Sequence, residues 1–313
     1  MPSGNFPANE TKKAILFALL AAFGFSIQDT AVKVLTSNAS IWQLMFIRSL
    51  IVVAVLYLWA LCYGGILKIK PKTFMWPVIR AICMSLAYTF FYVSLPFVAL
   101  SEASSCFFTA PIFVCFFASL FLGERIGSWR ISAIILGFLG AMLIIQPGFS
   151  EFRPVLMLPV FAGAFYALGV IVTRGFCSKE PSFSLTVTHN CFYAALGILA
   201  ITFIPMLDLE TEYSEKNTFL FQGWIPITVF TIVLILITAL THIVSMTASI
   251  FAYQNAETTI IAPVEYTYLL FAVLIDYIFW SFIPSISHII GSIVILGSGI
   301  TITWREWVIH KTS

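Results

Sequence analysis

The stretches TAPIFVCFFASLFLGE at Thr109–Glu124 and IAPVEYTYLLFAVLIDY at Ile261–Tyr277 decide how this chain folds. Each opens on Ala-Pro and reaches an acidic residue thirteen positions after the proline, Pro111 to Glu124 and Pro263 to Asp276, at a constant offset of 152. Each is followed by a glycine-punctuated apolar run, LGFLGAMLII with Gly137 and Gly140 and IIGSIVILGSGITI with Gly291 and Gly297. Alone, a matched Ala-Pro and one acid is a weak signal. Its weight comes from the chain around it.

Working outward, the 313 residues are 60% hydrophobic and 10% charged, with a mean hydropathy of +1.00. Soluble domains carry about 25% charged residues to face water, so the composition is that of an integral membrane protein. Crossing a bilayer takes roughly 20 apolar residues per helix. Windows of that kind fall at 14–35, 41–63, 74–95, 99–122 and 129–146, and again at 155–173, 185–204, 224–252, 258–282 and 286–304. Ten spans leave only short connections and no extramembrane catalytic domain. Only Pro96 to Glu102 divides the third window from the fourth, and only YQNAET the eighth from the ninth, so two tight hairpins are expected. The repeat then splits the chain into residues 1–146 and 155–304. Five spans is an odd number, so the second copy must enter the membrane inverted. The expected fold is all-α, ten transmembrane helices in two inverted five-helix repeats, an organisation in which two halves rock about a site near the bilayer midplane.

Charge gives the orientation, because cytoplasmic loops collect Lys and Arg. One side holds Lys12, Lys13, Lys68, Lys70, Lys72, Arg125, Arg130, Arg174, Lys179, Arg305 and Lys311; the other holds Arg153 and Lys216, with Asp208, Glu210, Glu212 and Glu215. Both termini are therefore expected in the cytoplasm and the loop at 205–222 outside. A net charge of +2 excludes a nucleic-acid footprint. The six cysteines, Cys62, Cys83, Cys106, Cys115, Cys177 and Cys191, have neither metal-site spacing nor the look of a disulfide framework. The first apolar stretch contains Asp29 and Lys33 and outruns a signal-peptide core, so it reads as a retained helix.

QDTAVKVL in the first span, FIRSL in the second, the two Ala-Pro stretches, and GITITWRE near the end together resemble the drug/metabolite transporter superfamily, in its ten-helix EamA type. The likeness covers nearly the whole chain and is strongest to S-adenosylmethionine uptake carriers, with riboflavin uptake carriers close behind. It implies a central cavity between spans 3, 4, 8 and 9 with 1 and 6, a bacterial inner membrane, and transport of amino acids, nucleotide-like metabolites or drugs. Asp276 with DYIFW departs from the usual Gly-Glu pair and reads as a structural acid at a helix end. Glu265 occupies a position that varies in the family, where a side chain facing a cavity would set substrate choice.

Ionisable groups inside a span are costly, so each is a candidate site residue. Asp29 and Lys33 share a face of the first helix, being four apart, and Arg48 in the second lies at about the same depth as Asp29, so the three are expected to form one network, either a helix-tying ion cluster or an anion site. Glu265, just after Pro263, is placed to face a cavity where the proline frees backbone carbonyls, and is a candidate for proton coupling. Its alternative is a tie to Arg80 or to His242, which sits mid-span among Thr238, Thr241, Ser245 and Thr247; His189 and His288 rank below it. Arg80 otherwise snorkels to the interface. Tyr88, Tyr92, Tyr166, Tyr266 and Tyr268 carry hydroxyls at mid-membrane depth and are candidates for stacking on a planar or cationic substrate. Pro111 and Pro263 are expected to break regular helix bonding at equivalent places, while Tyr57, Trp59, Trp76, Trp224 and Trp304 read as interfacial anchors.

The expected activity is carriage of a small zwitterionic or cationic metabolite of the S-adenosylmethionine kind by alternating access. A riboflavin-like compound, an amino acid or a drug is the alternative, and export is as open as uptake. The expected partners are a small-molecule substrate and the lipid bilayer, with proton coupling or exchange and a monomer or homodimer left open, and no nucleic acid or cofactor. An intramembrane enzyme is disfavoured, since HExxH, GxSxG and a paired-aspartate motif are all missing from the sequence. A pore is disfavoured because no repeated polar stretch could form a filter.

Overall fold

The computed structural model describes residues 8–65, 70–122, 128–145, 153–177, 179–207, 217–255 and 264–312, and among them it contains helices and no strand. In chain order these are α1 (Ala8–Leu35), α2 (Ile41–Trp59), α3 (Met75–Ser94), α4 (Leu100–Phe107), α5 (Ala110–Leu122), α6 (Ser128–Ile145), α7 (Met157–Phe176), α8 (Ser182–Phe203), the single turn α9 (Thr218–Phe221), α10 (Val229–Asn255), α11 (Thr267–Trp280) and α12 (Ile286–Thr312). Hydrocarbon offers backbone groups no partner, so an apolar chain that spans it closes its hydrogen bonds within helices. Among the described residues seven helical segments are long and apolar enough to cross a membrane, and shorter apolar helices at Ile135–Ile145, Thr267–Trp280 and Ile286–Ser298 occupy the fifth, ninth and tenth windows. Apolar side chains such as Leu16, Leu120, Phe203, Leu270 and Ile293 project outward, as lipid contact demands.

Three windows differ in detail. The fourth is two helices, α4 and α5, separated by Phe108 and Thr109. Pro111 is the second residue of α5, in a first turn whose N–H groups have no intrahelical partner to lose. In the eighth, Pro226 keeps the start non-helical, and the helix begins at Val229 with Thr228 Oγ1 accepting from Thr231 N at 3.1 Å. In the ninth, the described chain resumes at Val264 and turns at Tyr266 before α11. The turn following Asn255, Pro263 and Glu124 lie outside the described residues.

The helix pairs recur between the two halves of the chain. α1 packs on α10 as α3 packs on α7; α3 on α8 as α10 on α2; α4 and α5 on α7 as α11 on α1. The pairs α2 with α8 and α6 with α12 map onto themselves. Span n of the first half thus meets the counterparts of the spans that span n+5 meets in the second. Glycine sets the closest of these approaches: a Cβ on Gly140 of α6 would stand 2.9 Å from the Gly291 carbonyl of α12, and one on Gly291 would stand 2.7 Å from the Gly140 carbonyl.

Candidate functional site

The middle of the bundle holds a polar cluster drawn from six helices. α1 supplies Gln28 and Asp29, α2 Arg48, α3 Tyr88 and Tyr92, α8 His189 and Tyr193, α10 His242, and α11 Tyr268; the pairs on α3 and α8 are each four apart and so share a face. Asp29 accepts from Tyr268 Oη at 2.8 Å, from Tyr92 Oη at 3.1 Å and from Gln28 Nε2 at 3.2 Å. Gln28 Nε2 also donates to Tyr92 Oη at 2.7 Å. An ionised carboxylate only accepts, so the amide nitrogen of Gln28 must face Asp29, and its oxygen turns to His242 Nδ1 at 3.0 Å. His242 therefore carries its proton on Nδ1. A neutral ring then leaves Nε2 as an acceptor, and that atom has no partner.

Arg48 differs from its neighbours. Its side chain is wholly buried, and Nη1 donates to Tyr92 Oη at 3.2 Å, with the Tyr193 hydroxyl also close to the guanidinium. The guanidinium carbon lies 5.7, 5.6 and 5.2 Å from the ring centroids of Tyr88, Tyr92 and Tyr193, whose faces attract a cation. Nε and Nη2 have no partner. Tyr88 is the hub of the surrounding rings, with His189, Tyr92, His242 and Tyr193 centred 5.5, 5.7, 5.9 and 6.3 Å away.

A second polar cluster closes one end of the bundle. Asp276 of α11 is wholly buried and accepts from Leu100 N at 3.2 Å, Ser101 N at 2.7 Å and Lys33 Nζ at 3.3 Å. The residue that caps the start of α4 is Ala99, which has no side-chain acceptor, so the first N–H groups of the helix take a carboxylate from another helix, and the helix dipole favours the arrangement. Glu102 accepts from Ala99 N at 2.9 Å and pairs with Arg153 at 2.7 Å; Arg153 also donates to the Phe97 carbonyl. A cavity of about 510 Å³ opens beside this cluster, lined among others by Lys33, Asn38, Phe97 and Trp280, with Lys33 Nζ 4.6 Å from the Trp280 ring.

The candidate residues divide between these places. Tyr88, Tyr92, Tyr268, Asp29, Arg48 and His242 converge in the centre. Lys33 does not join Asp29 as expected: one turn along α1 brings it to the bundle end, where Val98 O and Asp276 receive it. Arg48 meets Asp29 only through the Tyr92 hydroxyl. Arg80 does not snorkel; it is 6% exposed and donates from Nε to Thr173 Oγ1 at 2.8 Å, because α7 packs over it. Glu265 is half-buried and accepts from Ser249 Oγ at 3.5 Å. Tyr166 packs edge-on against Phe107, and Tyr266 against Phe108 at the helix break. Trp76 stacks on Phe176 and Trp59 packs against Phe183, while Trp224 and Tyr57 are exposed. Sequence reasoning did not single out Gln28 or Tyr193, and it ranked His189 low. The i, i+4 spacing of His189 and Tyr193 was a signal available in the sequence.

The EamA-like transporter family model matches residues 12–146. Over 91% of this chain and 94% of its own length, the pseudopaline exporter CntI of Pseudomonas aeruginosa is 23% identical. The S-adenosylmethionine uptake transporter of Rickettsia bellii is 23% identical over 92% of each chain. A riboflavin transporter of Rhizobium johnstonii is 24% identical over 96% of this chain and 94% of its own. One solved protein structure superposes on 95% of this chain and 97% of its own with a TM-score of 0.60 at 15% identity, a likeness of fold. Residues 12–146 thus match an EamA-like transporter domain, and over most of its length the chain is similar to proteins named as transporters of small metabolites.

Proposed function

We propose that this EamA-domain transporter is a secondary carrier of a zwitterionic or cationic metabolite, S-adenosylmethionine-like in character, working by alternating access in a bacterial inner membrane with both termini in the cytoplasm. The observation that carries the reading is the central cluster, where a buried cation, a buried carboxylate and six aromatic rings from both halves of the chain meet. A site built between two inverted halves is exposed to one side or the other as the halves rock, and charged groups at that depth pair within the protein or face a cavity or substrate. Tyrosine faces suit a sulfonium or ammonium and stack on a planar base. A riboflavin-like substrate would use the same rings but make no demand on Arg48. Glu265, half-buried on the chain segment leading into α11, is the candidate for proton coupling.

Uptake by proteoliposomes of labelled S-adenosylmethionine, riboflavin and aromatic amino acids tests this. Saturable accumulation of S-adenosylmethionine without chemical change is expected. Accumulation of riboflavin alone would replace the zwitterionic reading by the neutral one. Reporter fusions at the C-terminus should be active in the cytoplasm, and activity only in the periplasm would overturn the orientation. Glu265→Gln should remove most of the transport and its pH dependence while the protein still inserts; unchanged uptake across pH would leave Glu265 a structural tie.

A further inference from the structure

Every charged group in the two clusters can be asked which of its hydrogen-bonding sites are filled. Asp29 has three donors on its two oxygens, and Asp276 has two backbone N–H groups and a lysine. Lys33 has a carboxylate and a carbonyl, and Arg153 the same. Arg48 alone among these holds a full charge with no carboxylate in contact. Its two unpartnered nitrogens are also not an arbitrary pair. Nε and Nη2 form one edge of the guanidinium plane, where two N–H bonds run parallel, and that edge matches the two oxygens of a carboxylate.

The rest of the cluster holds this edge in place. Nη1 is fixed by Tyr92 Oη, which is itself engaged with Gln28 and Asp29, and the guanidinium is faced by the Tyr88, Tyr92 and Tyr193 rings. Asp29, the nearest negative charge, is spent on tyrosine and glutamine donors. It lowers the field of the cation without occupying its binding edge. Leaving a buried donor unpaired costs about 1–3 kcal/mol in general, and more for a charged group, so two such donors on one charged group mark a place kept ready for a ligand. His242 Nε2, an acceptor by the chain of bonds through Gln28, lies on the same Tyr88 hub and complements an N–H or O–H of the same molecule.

We propose that the Nε–Nη2 edge of Arg48 is the carboxylate-binding subsite of the carrier, so that its substrates bear a free carboxylate and are selected through it. This rests on the carrier reading and names the group recognised. It also reassigns Asp29: with its oxygens filled, it is the counter-charge that orients Arg48, and the substrate's cationic part is received by the aromatic rings and His242.

The test uses the full-length protein in proteoliposomes, incubated with a uniformly 13C-labelled bacterial metabolite extract supplemented with S-adenosylmethionine, riboflavin and phenylalanine. Retained compounds are identified by mass spectrometry against empty liposomes. Compounds retained by the protein should carry a carboxylate, and the methyl ester of the most strongly retained one should compete at least tenfold more weakly than the acid. Arg48→Gln, checked for folding by melting temperature and gel filtration, should lower retention at least tenfold, and Arg48→Lys should recover only part of it, because lysine keeps the charge and loses the fork. Retention of compounds without an anionic group, an ester that competes as well as its acid, or a folded Arg48→Gln protein within twofold of the parent would overturn the subsite and leave the carrier standing. Nothing retained by the parent protein would overturn the carrier reading, and the subsite with it. The ester comparison is made on unaltered protein, so it stands even where Arg48→Gln does not fold.

Discussion

The end cluster around Asp276 and the central cluster around Arg48 contain the same chemistry, one buried carboxylate and one cation each, in opposite states of completion. At Asp276 both carboxylate oxygens are used and the cation touches its partner directly. At Arg48 the carboxylate is filled by hydroxyls and an amide, the cation is one residue removed, and two of its three nitrogens have no partner. Completed ion pairs hold helices together; incomplete ones are where a ligand has something to add. The end cluster joins α1, α4 and α11 through Asp276.

The sharpest way to break this contrast is Asp276→Asn. It removes the charge at constant shape, leaves α4 one acceptor oxygen in place of two and strands Lys33, and breaking one side of a buried pair costs about 3–5 kcal/mol. The expected result is a large fall in melting temperature in detergent, partly restored by adding Lys33→Met. A change under about 1 kcal/mol would put the end cluster outside the structural class. Tyr268→Phe should come next, losing a hydrogen bond to a buried carboxylate at a cost of about 1.5–3 kcal/mol, with transport falling as Asp29 loosens its hold on Tyr92. Arg48→Gln should change stability by no more than about 1 kcal/mol in either direction, because the cost of desolvating an unpaired cation disappears along with its attraction to the three rings. If it destabilises the protein as much as Asp276→Asn, the two clusters are the same kind of thing.

The smallest effect belongs to Glu180, in the connection between α7 and α8 at the opposite end. Slight burial pushes its carboxyl up, but N–H and O–H donors from Lys72 and Thr73, at 2.6 to 2.8 Å, outweigh it and hold the group below its ordinary range. A carboxyl depressed in the folded state contributes stability above its unfolded pKa and loses it as the pH falls through the folded one. Melting temperature followed from pH 6 downward should therefore fall slightly less in Glu180→Gln than in the parent, and an identical slope would remove Glu180 from the pH response.

Hydropathy windows placed the spans because bilayer thickness dictates a length that any apolar run either meets or does not, and the offset of 152 between Pro111 and Pro263 pointed to a repeat because a copied fold keeps its spacing. The depth of Asp29, Arg48 and Tyr92 was equally legible, since rise per residue is a property of one helix. Which of them touch was not. Asp29 and Lys33 lie on one face of α1, yet a single turn, roughly 6 Å, sends one into the centre and the other to Asp276, 243 residues away in sequence. The same holds for Arg80, held inside by Thr173 rather than drawn to the interface, and for Tyr193, whose part in the Arg48 site depends on α8 packing against α2 and α3. The sequence determined how many helices cross, in what order and with which charges at what depth. Only the packing of one helix on another decided which charge found a partner and which was left with an open edge, because pairing is a matter of a few ångströms between side chains that hydropathy and spacing do not encode.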